Sequence, residues 1–384
     1  MKCAIVVAAC AVAVSLGASA RAEAIPNRPV SANAMQTILR SAVRWKLTPS
    51  ISAAIVANGK LVYVGADGTA DLENRRPATI ATRYPIGSVG SLFLAVALVQ
   101  LDAKRKLRLD DPLERYMPEA PAGITLRQLL PSQSDGDEKY DALGAIIERV
   151  TGQPLLTYLT DHVFRPAGMT DTWFGEPPDW LPLALGYYEW RDDFGLAATP
   201  PDAWNRKCCS FSSTARDLAR FGAALLNGTL IASSALRSLE PAFQSTEKAG
   251  MHAIGQLGSA SGYDAQFVLI PRERFAMVTL ANASGFPATA VLDRVFAAYY
   301  PAAASASAAA DNAGAPDSAI TDRLSRYFAT QTGPTGLVPT MEFLSSSESA
   351  GATEYRYLVS APAGTKSAFF ALSADGTIDG FWVH

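Results

Sequence analysis

Hydrophobic and polar positions along the chain change period several times, and each change marks an element. Met35, Ile38, Leu39, Val43 and Trp45 recur at helical spacing behind Ser31, whose hydroxyl suits an N-cap. Ile51, Ala53 and Ile55 alternate with small residues, Asn58-Gly59 follows, and Lys60-Leu61-Val62-Tyr63-Val64 resumes as a second strand. Asn-Gly between two apolar runs is a strong hairpin signal, because both central residues of the favoured turn need positive φ. A long helix is predicted to start near Ser88 and to carry Leu92, Phe93, Ala95, Val96, Val99 and Leu101. More helices are predicted over 141–151, 154–165 and 214–227. Ser213-Thr214 with Asp217 opens the last of these, and Asn227-Gly228 stops it. A second hairpin, Tyr263–Ile270 and 275–282, turns around Pro271-Arg272-Glu273-Arg274 and precedes a helix over 287–299.

The two ends read differently. Residues 302–316 are rich in Ala and Ser and read as a linker. Residues 317–384 read as a small α+β domain, with a helix through Ile320, Leu324, Tyr327 and Phe328 and strands at 340–345, 354–360, 366–372 and 377–383. That domain carries no cluster of reactive side chains, and the edges of its sheet are free to pair with a partner. Residues 1–22 have the form of a cleaved signal peptide: Lys2, an apolar stretch over 4–16 too short to span a bilayer, and Ala20-Arg21-Ala22. Val7-Ala8-Ala9-Cys10 has a lipobox flavour but leaves too little apolar chain before the cysteine, so a lipid anchor is not expected. A periplasmic or secreted location is expected for the main domain, 23–301.

Composition narrows the function. With 49% hydrophobic and 18% charged residues the 384-residue chain is too apolar to be disordered. A net charge of −3 with both signs interspersed argues against a nucleic-acid binder. The lack of apolar runs after the N-terminus argues against an integral membrane protein. Signal cleavage leaves Cys208 and Cys209, neighbours that bridge each other only through a strained ring. No further Cys or nearby His completes a metal set around them, so neither a metal nor a cofactor is expected.

Tyr84-Pro85-Ile86-Gly87-Ser88-Val89-Gly90-Ser91 resembles the nucleophile region of the serine β-lactamase and penicillin-binding-protein superfamily, nearest its class C β-lactamase and serine esterase branch. Leu107-Arg108-Leu109-Asp110-Asp111-Pro112, Ile124-Thr125-Leu126-Arg127-Gln128-Leu129-Leu130, Phe164-Arg165-Pro166-Ala167-Gly168-Met169-Thr170-Asp171-Thr172 and Ser213-Thr214-Ala215-Arg216-Asp217-Leu218-Ala219-Arg220-Phe221 agree with that branch. The resemblance implies an α/β (α+β) fold. An antiparallel sheet made from both ends of the domain packs on helices, a helical region is inserted between, and the site lies in the groove where they meet. It also implies acyl transfer, in which a serine attacks an amide, β-lactam or ester carbonyl and needs a base and oxyanion donors.

Those helpers are altered here. Ser88 stands at the nucleophile position, but the Ser-x-x-Lys lysine position is Ser91, a hydroxyl too weakly basic to replace an ammonium or a base. Tyr-x-Asn falls on Asp135-Gly136-Asp137, while Tyr140 matches a second, structural tyrosine. Lys-Thr-Gly or His-x-Gly falls on Gln256-Leu257-Gly258. The substituted motif positions are therefore Ser91, Asp135, Asp137, Gln256 and, on the same strand, Gly258. Lys139, His162 and His252 are the candidates for a substitute base, and His384 is the chain end. Ser88 itself reads equally as a nucleophile or as a helix cap. Three functions follow as expectations. One is a catalytically degenerate binding or regulatory protein of the cell envelope, taking a peptidoglycan fragment, an acyl compound or an envelope protein. The second is a weak acyl hydrolase using Ser88. The third is an interaction protein working through 317–384.

Overall fold

A computed structural model describes residues 30–300, apart from 45, 121–122, 131–137, 191–192, 200–203, 205–209, 249–250 and 287, together with the backbone of four strands between 340 and 383. Helix α1 (Ala32–Arg44) is followed by strands β1 (Ser50–Ala57), β2 (Lys60–Asp71), β3 (Arg76–Pro77) and β4 (Tyr84–Pro85). Helix α2 (Ser91–Ala103) opens a largely helical stretch with α3 (Leu126–Leu129), α4 (Glu138–Thr151), α5 (Leu155–Leu159) and α6 (Arg165–Ala167). Then come β5 (Trp173–Phe174), the hairpin β6 (Tyr187–Trp190) and β7 (Asp193–Leu196), β8 (Phe211–Ser213), α7 (Ala215–Leu226) and α8 (Leu236–Leu239). Strands β9 (Gln244–Lys248), β10 (Met251–Ala260), β11 (Tyr263–Ile270) and β12 (Phe275–Ala281) return to the sheet before α9 (Ala288–Tyr299).

The main sheet has the order β3-β2-β1-β12-β11-β10-β9 and is antiparallel throughout. Its centre joins the first strand to the last, Ala53 opposite Thr279, so the sheet closes only when both ends of the segment meet. Period-2 alternation gives each strand two apolar faces. Ile51, Ala53, Ile55, Val268 and Met277 pack under α1 and α9. Ala54, Val56, Phe267, Leu269 and Val278 face α2 and α7. Helix α2 is buried around most of its circumference, which is why its sequence is apolar nearly all round. Its Phe93 ring meets Phe164, Phe211 and Phe221 edge to face at 5.1–5.3 Å, fixing the helix axis.

Local signals were obeyed where the chemistry is local. Ala34 N–H donates to Ser31 Oγ at 3.1 Å. Asn58 and Gly59 take φ of 53° and 71°, the two positive values a tight hairpin turn needs. Thr214 Oγ1 accepts from Asp217 N–H at the start of α7. The continuous helix expected over 154–165 is instead broken: α5 gives way to a π-helical stretch, Thr160–Phe164, before α6. Pro166 has no N–H to reach the carbonyl of His162, and Gln100 Nε2 from α2 takes that carbonyl at 2.9 Å.

A four-stranded antiparallel meander is formed by β13 (Thr340–Ser349), β14 (Ala352–Ala361), β15 (Gly364–Ser373) and β16 (Ile378–Val383). The helix expected through Ile320 to Phe328 lies outside the described residues, as do the linker and residues 1–22. Among the described residues no helix is long and apolar enough to cross a membrane.

Candidate active site

Strand β4 enters the site pinned by β8, with Tyr84 opposite Ser213 and Pro85 opposite Ser212. Ile86 N–H continues this pairing to Phe211 O at 3.0 Å. Gly87 then takes φ +49°, a left-handed value that favours glycine and ends the strand abruptly. A 3-10 turn, Gly87–Gly90, follows, and the α-helix proper starts only at Ser91. The helix expected from Ser88 is thus delayed by three residues, and Ser88 lies inside the turn, half-buried. The residues that precede the turn and the helix, Ile86 and Gly90, make no side-chain cap. Ser88 caps neither element, and no described residue hydrogen-bonds its hydroxyl.

Strand β10 closes against this turn, backbone to backbone. A Cβ on Gly258 would lie 2.0 Å from Ile86 O and 3.0 Å from Val89 N. One on Gly87 would lie 2.6 Å from Ser259 O. Gly258, grouped above with the substituted positions, occupies the glycine place of the motif, and its role here is steric. It is the residue that lets strand and turn touch. Gln256, two residues before it, shares its face and is 3% exposed. At the lysine position Ser91 is buried, and its hydroxyl donates to the Ser88 carbonyl oxygen at 2.7 Å. That hydroxyl faces back along the helix, away from any task as a base.

The turn that carries Ser88 lies between the antiparallel sheet and the buried helix α2, the layering that the resemblance implied. The Beta-lactamase family model matches residues 39–300. The chain belongs to the β-lactamase family. Among similar proteins, the Escherichia coli (strain K12) β-lactamase is 25% identical over 213 residues, 45% of this chain and 55% of that one. Esterase EstB of Burkholderia gladioli is 25% identical over 198 residues, 36% of this chain and 50% of that one. The chain spans about half the length of these curated relatives. In fold it is similar to the octameric penicillin-binding protein homologue from Pyrococcus abyssi, with a TM-score of 0.63 and 17% identity, covering 90% of this chain and 94% of that one.

Within this β-lactamase-family fold the other candidates disperse. Asp135 and Asp137 lie outside the described residues, as do Cys208, Cys209 and His384, and the side chains of Lys139 and Tyr140. His162 sits in the π-helical stretch against Tyr158, 4.4 Å between ring centroids. Burial, helped by Lys104, holds its pKa below the ordinary imidazole value. It contacts α2 at Gln100, about 14 Å along the helix from Ser91. His252 shares the face of Gln256 but lies about 13 Å down the strand, with Nδ1 3.4 Å from Ser245 Oγ. Neither histidine is brought to Ser88. Among the described residues no His/Cys/Asp/Glu group could hold a metal.

Sequence reading missed the polar groups that hold the turn. Asn282 Oδ1 accepts from Ser50 N–H at 2.7 Å and from Ser50 Oγ at 2.8 Å, and Ser50 Oγ is 3.0 Å from the hydroxyl of buried Tyr84. Asp217, read as part of a cap, also accepts from Asp171 N–H at 2.6 Å and from Thr172 Oγ1 at 3.1 Å. Its side chain is fully buried beside Arg220, and desolvation pushes its carboxyl above the ordinary range. Asp171 in turn holds Arg83 at 2.7 Å, just upstream of β4. Ser212 Oγ, on the strand pinning β4, is buried without a partner among the described residues. None of these carries a sequence signal of its own except the Asp217 motif, because each depends on chain segments far apart.

Proposed function

We propose that this β-lactamase-family protein is an exported, non-catalytic member of its family, binding an acyl compound or peptidoglycan fragment in the cell envelope as a ligand-sensing or regulatory protein. The observation that carries this reading is Ser91, which stands where the resemblance requires a base and spends its hydroxyl on the Ser88 carbonyl. Losing the base of a serine hydrolase costs about 10⁴–10⁶ in turnover, roughly 5–8 kcal/mol of barrier. The motif of residues 1–22 supports export.

Intact-mass analysis after incubation with a fluorophosphonate, and separately with penicillin, tests it beside a Ser88→Ala control. No Ser88-dependent mass shift on folded protein is expected. A shift would overturn the non-catalytic reading in favour of a weak acyl hydrolase. That second reading is favoured by one observation: Ser88 is partly exposed, caps nothing and keeps its hydroxyl free of described partners.

A further inference from the structure

On the face of β10 that carries Gly258, Gln256 is the polar side chain nearest in register to the contact with the turn that holds Ser88. It shares a strand face with Gly258, whose backbone abuts Ile86 and Val89 on either side of Ser88. One strand repeat, about 7 Å, separates the two Cα positions. The residue is 3% exposed, yet no described residue hydrogen-bonds its amide. A buried polar group left without protein partners normally finds one in water or a ligand.

The chemistry of the amide sets what that ligand is. Gln256 offers two N–H donors on Nε2 and an acceptor on Oε1, and no charge. A neutral amide matches both halves, its carbonyl accepting from Nε2 and its N–H donating to Oε1. A carboxylate placed there would surrender its hydration to an environment in which Gln256 supplies no counter-charge, and it would meet Oε1 acceptor to acceptor. We infer that the site where β10 meets the Ser88 turn takes an uncharged amide, read by the Gln256 side chain, and discriminates against the corresponding free carboxylate. This inference rests on the proposed binding of an acyl compound and names the class of acyl ligand taken.

Isothermal titration of the full chain with N-acetylphenylalanine amide and with N-acetylphenylalanine at neutral pH tests it. The two probes share their ring and acetyl group and differ in charge at one end. The amide is expected to bind at least about tenfold more tightly, the equivalent of one discriminating polar contact. Gln256→Lys is expected to reverse the preference toward the acid. Gln256→Met, close in shape and certain to leave no unpaired polar group, is expected to keep the fold and abolish the preference. Equal binding of the two probes, tighter binding of the acid, or a preference unchanged in Gln256→Met would overturn the inference. So would the absence of binding by either probe at millimolar concentration. None of these results bears on turnover, which the Ser88-dependent mass shift decides separately.

Discussion

Tyr84 and Ser88 are separated by one short strand and a turn, yet the polar groups around them are arranged in opposite ways. Behind Tyr84 the side chains of Asn282 and Ser50 satisfy one another. Asn282 takes two donors from Ser50 and gives its own N–H groups to Leu185 O at 3.0 Å and Thr69 O at 3.3 Å, while Ser50 Oγ lies within hydrogen-bond distance of Tyr84. Around Ser88, Gln256 and Ser212 are buried and unpartnered among the described residues. Asn282, Tyr84, Gln256 and Ser212 are all buried, so the difference between these groups is one of pairing and not of burial. A network whose members satisfy one another stabilises and fixes the fold. Polar groups buried without partners lower stability by about 1–3 kcal/mol each, and such a cost is tolerated where a ligand completes them.

Breaking the satisfied side should have the largest effect. Asn282→Ala leaves the Ser50 amide and the Leu185 carbonyl unpaired and is expected to cost about 3–4 kcal/mol, read as a lowered urea midpoint. A loss below about 1 kcal/mol would show that water replaces the network. Gly258→Ala forces a Cβ to within 2.0 Å of Ile86 O, a backbone atom that cannot rotate away. About 2–3 kcal/mol is expected, with ligand binding lost as the turn is displaced, whereas unchanged binding would mean the strand–turn contact does not shape the ligand site.

The unsatisfied side should respond with the opposite sign. Gln256→Met is expected to leave stability unchanged or raise it by up to about 1 kcal/mol, since it removes an unpaired polar group at nearly constant volume. Destabilisation instead would place Gln256 with the structural network. The smallest effect concerns Asp217. Its folded pKa is raised, so protonation favours the folded state. The contribution of Asp217 to stability is greatest below the unfolded carboxylate value and declines as pH rises from about 4 toward the folded pKa. Asp217→Asn should remove that decline, so the difference in urea midpoint between variant and wild type should change across this window. A difference constant with pH would show that burial does not govern this carboxyl.

Much of the architecture was legible before any coordinates. Asn58-Gly59, Ser31 and Thr214 acted as their local chemistry dictated, and the ordered motifs from Tyr84 to Phe221 named the fold. The misreadings share one cause. Ser88 was weighed as a cap because a hydroxyl before an apolar run suits one, but Gly87 and the returning strand impose a 3-10 turn first. The break at Thr160–Phe164 escaped notice because the carbonyl that Pro166 leaves free is taken by Gln100, far away in the chain. Gly258 was grouped with substituted positions although its meaning is steric.

By itself, the sequence determined the hairpins, the buried helix behind Ser88, the family and the identities of the side chains at the motif positions. These follow from turn chemistry, periodicity and residue type, which neighbours in the chain carry. Only the tertiary structure decided that Ser91 bonds back to Ser88, that neither His162 nor His252 approaches the turn, and that Gln256 is buried with its amide free. Those outcomes depend on which strands and helices meet, and long-range packing settles the partners of a polar group that local sequence leaves open.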